Sequence, residues 1–186
     1  MRAIGADSGR VPAEGMRLFD ESHADLRDTV LQVPPFMDPA EWIFNNIELE
    51  KGESTRPGKM RLTGYQLPVA RKFLEEGVSE ITVLKGARVG WSRFMSGMVA
   101  YGLAYLGISV TIAQPTDDDA QSFYNEVIKP LFDRVKALRD LKRTPARGDV
   151  QDRWNEHYLT NGAVLRIVSA ASDDSFRRYG SKWNFG

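Results

Sequence analysis

The sequence lacks cysteine altogether and has only two histidines, His23 and His157, among its 186 residues. Without cysteine, the chain can form no disulfide, no thiolate metal site and no cysteine nucleophile. A metal site built from several imidazoles is excluded as well, because two histidines supply too few ligands. Any chemistry of this chain must therefore depend on carboxylates, hydroxyls, cations and main-chain groups.

The sequence also lacks an excess of charge of either sign, with 25 basic and 25 acidic residues. This balance conceals an asymmetry, because residues 1–57 hold 6 basic and 11 acidic side chains, whereas residues 58–186 hold 19 and 14. A cluster of basic residues between Arg134 and Arg147 is interspersed with acids. The later part is compatible with a track for a polyanion such as DNA, and equally with an ordinary solvated surface.

The sequence also lacks an apolar run of the kind that spans a membrane. The first ten residues, MRAIGADSGR, contain no apolar core of the secretory type. Residues 94–113 carry no charge, but they include three glycines, two serines and a threonine. A buried helix to about Leu106, ended by Gly107 and followed by the buried strand ISVTIA, explains this composition. We therefore expect no membrane partner.

The N-terminal third is predicted to form a helical arm. Apolar spacing predicts a loose helix over residues 14–31, and Asp38 followed by Pro39 predicts the start of a second helix. That helix carries Trp42, Ile43, Phe44 and Ile47 towards a core. The polar stretch KGESTRPGK follows, so we assign residues 1–57 to an arm and linker and residues 58–186 to the main domain.

The main domain alternates helices with strands, which predicts an α/β fold with a mostly parallel sheet flanked by helices. Asn161-Gly162 between two apolar runs predicts a hairpin with a type I′ turn. The last residues, WNFG, resemble the beginning of a further strand, so the sheet is expected to be incomplete at the C-terminus. The predicted helices cover residues 67–76, 92–106 and 116–142, of which the last is capped by Thr116 and kinked or divided at Pro130. The predicted strands cover residues 81–84, 108–113, 156–159 and 164–170.

The stretch LKGARVGWSR, residues 84–93, lies between a predicted strand and a predicted helix, where a phosphate-binding loop belongs. The usual pattern is G-x-x-x-x-G-K-[ST], in which glycines admit main-chain N–H groups to the phosphates and the hydroxyl holds Mg²⁺. With Gly90 at the sixth position, Ser92 occupies the eighth. Trp91 stands where the lysine belongs, and Lys85 is at the first position instead.

A lysine at the start of the loop can serve the same chemistry, because the phosphates need a cation but not one from a fixed backbone position. Arg88 and Arg93 add further positive charge, and Arg88 is placed to reach a transferring phosphoryl group. The N-terminus of the following helix also attracts an anion. The alternative is an ordinary strand–turn–helix connection in which Gly86 and Gly90 permit a tight turn and Lys85 is solvated.

Lys85, Arg88, Gly90, Trp91 and Ser92 together resemble the deviant phosphate loop of the lambda-type phage terminase large subunits. The later stretch QPTDDDAQSFYNEVIKPLF also resembles a segment of this family, and the similarity extends from about residue 38 to the end of the chain. The resemblance implies the N-terminal ATPase portion of such a subunit, with a P-loop NTPase-like fold.

The resemblance also implies roles for individual residues. Lys85 and Arg88 would be catalytic, Ser92 would hold the Mg²⁺ that accompanies ATP, and Tyr65 with Gln66 would read the adenine. The residues implied in ATP binding are Tyr65, Gln66, Lys85, Gly86, Ala87, Arg88, Val89, Gly90, Trp91, Ser92 and Arg93.

Members of this family thread viral double-stranded DNA into a capsid, which implies further expectations. The partners would be DNA, a small terminase subunit, a portal protein and other copies in an assembled motor. The location would be the host cytoplasm, as for a phage or prophage protein.

The family's Asp-Glu pair, which ends the Walker B strand, is not present after any apolar run of this sequence. Both that strand and the family's nuclease domain are expected to be missing, so we expect little or no ATP hydrolysis by this chain alone. Two alternatives follow. The chain is a non-enzymatic interaction module that binds portal, small terminase or capsid, or it is a helicase-like P-loop protein.

Overall fold

The computed structural model describes residues 36–52, 57–143, 153–171 and 181–186. The chain divides into two units, Met1–Phe36 and Met37–Gly186, and the second unit is described here. The predicted helix at 14–31 and most of the basic loop at 143–153 lie outside the described residues. The predicted division into residues 1–57 and 58–186 remains a prediction.

Helices and strands follow one another along the second unit. A short ribbon and three helices come first: α1 Pro39–Asn46, β1 Glu48–Leu49, β2 Gly58–Lys59, α2 Gln66–Lys72 and α3 Trp91–Ala104. The sheet strands and the remaining helices follow: β3 Val110–Gln114, α4 Asp117–Phe123, α5 Lys129–Arg134, α6 Lys136–Arg139, β4 Glu156–Tyr158, β5 Val164–Ser169 and β6 Trp183–Phe185.

The main sheet has the order β4-β5-β3-β6. Strand β3 runs parallel to β5, with Gln114 opposite Ser169, and parallel to β6, with Val110 opposite Trp183. Strand β4 is antiparallel to β5. The prediction of a mostly parallel sheet flanked by helices is confirmed at this level, and so is the short strand that begins at Trp183.

Helix α3 forms the centre of the core, and two glycines allow its neighbours to approach closely. A Cβ atom at Gly97 would lie 3.0 Å from Cδ1 of Ile43 on α1, and one at Gly102 would lie 2.8 Å from Cζ3 of Trp183 on β6. The helix is therefore held between α1 and β6 by surfaces that have no room for larger side chains. None of the helices in the described ranges is long and apolar enough to cross a membrane.

Helix starts follow the local sequence. The Asp38 carboxylate accepts a hydrogen bond from the N–H of Ala40 at 2.9 Å, and the Thr116 hydroxyl accepts one from the N–H of Asp119 at 3.1 Å. Both predicted N-caps are thus confirmed. Gly107, with φ of 64°, takes the left-handed conformation expected of a residue that ends α3.

The strand predicted at residues 81–84 is wrong for this structure. The segment has no strand or helix assignment, its Leu84 side chain is fully exposed, and no backbone hydrogen bond joins it to another described residue. An apolar, β-branched run supplies the propensity for a strand but not the neighbouring strand that it must pair with.

The helix predicted over residues 116–142, kinked or divided at Pro130, is divided in the structure. It passes through a π-helical turn at Tyr124–Ile128 directly before α5, and the extended backbone of Val135 separates α5 from α6. The π-turn is situated where Pro130, which has no N–H, disturbs the α-helical ladder.

The predicted type I′ turn at Asn161-Gly162 is wrong as well. Gly162 has φ of 86°, but Arg88 is the non-glycine residue with positive φ among the described residues, so Asn161 does not adopt the required conformation. The Asn161 amide instead donates to the carbonyl of Leu103 at 2.8 Å, and its oxygen accepts from the N–H of Ala163 at 3.1 Å. This contact with α3 fixes a longer connection between β4 and β5.

Candidate functional site

The loop at residues 85–90 enters α3 through two residues in the left-handed conformation. Arg88 has φ of 59° and Gly90 has φ of 72°, and Gly90 is the N-cap of α3. Glycine has no side chain with which to cap the helix, so the first N–H groups of α3 are not satisfied in that way. The loop therefore presents main-chain donors together with the positive end of the helix dipole.

Tyr65 and Gln66 hold the end of this loop from a distance of 24 residues in sequence. The Tyr65 hydroxyl donates to the carbonyl of Val89, and Nε2 of Gln66 donates to the carbonyl of Gly90 at 3.4 Å. Sequence reasoning assigned Tyr65 and Gln66 to adenine and missed these contacts with the loop. These two contacts could not be read from the sequence, because every residue has a main-chain carbonyl and no residue type marks the carbonyl that accepts a side-chain hydrogen bond.

The Gln66 side chain is fixed on all sides. Its Nε2 also lies 3.4 Å from the Tyr65 hydroxyl, its Oε1 accepts a hydrogen bond from the N–H of Thr63 at 3.0 Å, and the residue is 4% exposed. Both amide hydrogens thus have acceptors within the protein. The arrangement suits a support for the loop, and the adenine contact remains a prediction.

Lys85 and Arg88 are the exposed cations of the loop. Neither has a salt-bridge or hydrogen-bond partner among the residues that the structure describes. Ser92, in the first turn of α3, is exposed on the same stretch. Two unpaired positive charges beside a helix N-terminus attract an anion more strongly than either feature does alone. Gly86 and Ala87 are exposed too, and Val89 is half-buried.

Two residues of the predicted site lie at its flanks. The Trp91 ring is half-buried with its centroid 4.8 Å from that of Phe94, and Trp91 lines a groove beside β6. Arg93 lines a small cavity together with Glu48 and Arg134. Of the predicted site residues, the structure brings Val89 and Gly90 together with Tyr65 and Gln66.

Oxygen donors for a hard cation are limited near the loop. A hydroxyl such as that of Ser92 suits Mg²⁺, which keeps several waters and usually takes one or two protein oxygens. No group of three or more acidic or imidazole side chains that could hold a metal ion occurs among the described residues. The acids after β3 begin a helix instead, with Asp117 and its neighbours in the first turn of α4.

Three cations of the basic cluster around α5 and α6 are paired with acidic side chains, which favours the solvated-surface interpretation over a track for DNA. An exposed ion pair of this kind contributes little to stability, but it reduces the charge that is available to a polyanion. The pairs are Arg134 with Glu50 at 3.3 Å, Lys142 with Asp133 at 3.3 Å, and Lys136 with Asp140 one helical turn away.

Comparisons with known proteins point to one family. The family model described as "Phage terminase large subunit gpA, ATPase domain" matches residues 54–181. The terminase large subunit of Escherichia phage lambda is 28% identical over 137 residues, which are 74% of this chain and 21% of that protein. The terminase large subunit of Enterobacteria phage P21 is 24% identical over 147 residues, which are 79% of this chain and 23% of that protein. The chain thus spans about a fifth of the length of these relatives. No solved structure matches it.

Proposed function

Because the chain belongs to the family of phage terminase large subunit ATPase domains, we propose that its loop at residues 85–92 binds the phosphates of ATP. The observation that carries this proposal is the loop itself. Two left-handed residues turn the main chain into the N-terminus of α3, and Lys85 and Arg88 stand beside it without a partner in the described chain.

Each part of the loop has a chemical task in this proposal. Main-chain N–H groups and the Lys85 ammonium neutralise the terminal phosphates, and Arg88 stabilises charge on the phosphoryl group that is transferred. The Ser92 hydroxyl would hold Mg²⁺, which supplies additional positive charge to the phosphates. Gly86, Ala87, Val89 and Gly90 provide the cradle, while Tyr65 and Gln66 keep its last carbonyls in place.

The fold supports a nucleotide site at this position. In open α/β sheets, ligands bind outside the carboxyl ends of parallel strands. Strands β3 and β5 end side by side at Gln114 and Ser169, which are paired in register. A P-loop NTPase-like arrangement, with the loop at this edge, is therefore the finer fold that we propose for residues 58–186, preceded by the arm at residues 1–57.

The biological role that we propose is a part of the viral DNA-packaging motor. In that setting the partners are double-stranded DNA, the small terminase subunit, the portal protein and further copies of the subunit, in the host cytoplasm. No run of three or more apolar residues in this sequence ends in paired acids, so we propose that these 186 residues bind ATP without hydrolysing it at a useful rate.

Titration of the chain with a fluorescent ATP analogue and Mg²⁺ tests the site. Loss of a charge-assisted contact costs about 1.5–3 kcal/mol, so Lys85→Ala should weaken binding by roughly 10- to 100-fold. The matched control is Lys136→Ala, because Lys136 is an exposed lysine whose ion pair lies within its own helix region. Equal affinities of the Lys85→Ala variant and the unsubstituted chain would overturn the assignment of this lysine.

A non-enzymatic interaction module is the second candidate, and the missing Asp-Glu pair is the observation that favours it. A chain with no affinity for nucleotide that still binds purified portal protein or small terminase subunit would support this alternative. The family match favours both candidates over the helicase-like alternative.

A further inference from the structure

Phe44, Lys59 and Arg61 form a patch in which two cations share one aromatic ring. The Nζ atom of Lys59, on β2, lies 5.0 Å from the centroid of the Phe44 ring, and Cζ of Arg61 lies 4.4 Å from the same centroid. The two positive charges are therefore within about 10 Å of each other, the distance over which salt at about 0.1 M screens exposed charges. Like charges this close repel each other, and their attraction to the ring offsets that repulsion.

Both charges of the patch are available to a partner. Lys59 and Arg61 are exposed, and neither side chain has an ion pair or a hydrogen bond with another residue that the structure describes. Glu48 is opposite Lys59 in the β1–β2 ribbon, but no ion pair joins these two described residues, and Glu48 lines the small cavity beside Arg93. The patch thus differs from the cluster around α5 and α6, where three cations are paired with acids.

The aromatic ring orders the two cations without neutralising them. An ion pair also restricts a long side chain, but it removes the charge that a polyanion would meet. Above a ring, the N–H groups that point away from it remain free to donate. Phe44 is half-buried on α1, which gives the ring a fixed base. The patch therefore presents one ammonium and one guanidinium group, both of which are good donors to phosphate oxygens.

The composition of this surface favours a phosphate backbone over a protein partner. Protein interfaces are enriched in aromatic and other apolar side chains at their centre. None of the exposed large apolar side chains of the described ranges lies between residues 44 and 61; they are Phe36, Tyr65, Val78, Leu84 and Trp154. By contrast, half to two-thirds of the hydrogen bonds between proteins and DNA go to phosphate and sugar, many of them from arginine and lysine.

We propose that Lys59 and Arg61, ordered by Phe44, contact the phosphates of double-stranded DNA. The identity of the polyanion rests on the proposed packaging role, whereas the contact itself does not require a nucleotide at the loop. Phosphate contacts position a duplex and read no base, so the patch binds DNA without preference for sequence.

The salt dependence of DNA binding tests the patch. Each phosphate contact contributes about 0.9 to the slope of the logarithm of the binding constant against that of the salt concentration, so Lys59→Gln/Arg61→Gln should reduce the slope by about 1.8. Fluorescence anisotropy of a labelled duplex, without nucleotide and between about 50 and about 200 mM salt, measures it. The matched control is Lys72→Gln/Lys136→Gln, which removes the same charge from two exposed lysines that are engaged in ion pairs.

Equal slopes for the two double variants would overturn the proposal, and so would an unsubstituted chain without measurable affinity for the duplex. If Lys59→Gln/Arg61→Gln weakens binding of a poly-glutamate peptide but not of the duplex, the partner is an acidic protein segment and the DNA assignment is wrong. Titration with the ATP analogue is a separate measurement, so failure of nucleotide binding at the loop and failure of DNA binding at the patch are distinguishable.

Phe44→Leu tests the ring separately from the charges. It keeps an apolar side chain on α1 and both cations, so the salt slope should be retained. The affinity for the duplex should fall by about two- to fivefold, because the cations lose the contact that orders them. Urea denaturation checks that each variant is folded. An unchanged affinity of the folded Phe44→Leu chain would overturn the role of the ring.

Discussion

The buried side-chain amide of Gln66 donates a hydrogen bond to the carbonyl oxygen of Gly90, 3.4 Å away and 24 residues later in the chain. The same side chain accepts a hydrogen bond from the N–H of Thr63. One residue at the start of α2 thus joins the segment before the helix to the last residue of the loop at residues 85–90. The conformation of the loop consequently depends on a side chain outside it.

Replacement of Gln66 by alanine should reveal this dependence. It leaves the Gly90 carbonyl and the Thr63 N–H without their partner, which should lower the free energy of unfolding by about 1–3 kcal/mol. It should also weaken binding of the ATP analogue, because the loop loses its support. Urea denaturation and nucleotide titration measure the two effects. The control is Gln121→Ala on α4, at an exposed glutamine, and a Gln66→Ala chain as stable as this control would contradict the prediction.

The two glycines of the loop should respond differently to alanine. Gly90→Ala forces a side chain into a left-handed conformation, with φ of 72°, and should destabilise the chain by about 1–2 kcal/mol. The new Cβ would be 3.7 Å from Nε2 of Gln66, so the cost is conformational and not steric.

Gly86→Ala is the matched control in the same loop. Gly86 does not have a positive φ, and its added Cβ would lie 3.9 Å from the nearest atom, Cγ1 of Val89. This substitution should leave stability unchanged or raise it by about 0.4–1 kcal/mol. Similar urea midpoints for the two variants would argue against the left-handed conformation at Gly90.

The contact between α3 and β6 predicts a packing defect at Gly102. An alanine there would place its Cβ 2.8 Å and 2.9 Å from two atoms of the buried Trp183 indole, which is a rigid ring. Overpacking costs about 1–3 kcal/mol, and the better helix propensity of alanine offsets about 1 kcal/mol of it. We expect a net loss of up to about 2 kcal/mol for Gly102→Ala in urea denaturation.

Gly97→Ala should be tolerated better, because its nearest neighbour is the flexible tip of the Ile43 side chain at 3.0 Å. If Gly97→Ala proves the more damaging of the two substitutions, the packing of Trp183 against α3 is not as described.

Tyr101 should make the stability of the chain sensitive to alkaline pH. Burial, together with the smaller effects of the negative charges of Tyr105 and Asp38, raises its pKa to about 12. Because the pKa in the folded state is above the ordinary value of 10, the contribution to stability is complete below pH 10. It is lost as the pH rises from about 10 to about 12.

The Tyr101→Phe variant tests this dependence. Phenylalanine cannot donate to the carbonyl of Met37, which accepts from the Tyr101 hydroxyl at 2.9 Å, so the variant should lose about 1 kcal/mol at neutral pH. Its unfolding free energy should then fall less steeply than that of the unsubstituted chain between pH 10 and pH 12. Parallel pH profiles of the two chains, measured by urea denaturation, would show that Tyr101 is not the group responsible.

Features that depend on neighbours in sequence were predictable, and those that depend on distant partners were not. The caps at Asp38 and Thr116 were predicted because a capping bond spans two or three residues. The strand at residues 81–84 was wrong because pairing requires a second strand, and the turn at Asn161 was wrong because its side chain contacts α3.

The candidate site divides in the same way. The bounds of the loop, its glycines and its cations can be read directly from residues 85–92, because these properties belong to consecutive residues. The contacts of Tyr65 and Gln66 with the loop, and the position of Arg93 beside Glu48, involve segments that only tertiary packing brings together. Chain periodicity carries no information about them.

The close approach at Gly97 and Gly102 limits how α3 can respond to a nucleotide. A displacement along the helix axis would bring side chains of larger neighbouring residues against Ile43 on one flank and the Trp183 indole on the other. Axial sliding is therefore blocked, whereas tilting that carries α1 and β6 along is not. A force on the loop would therefore tilt α3 together with these two neighbours and would not slide the helix along its axis.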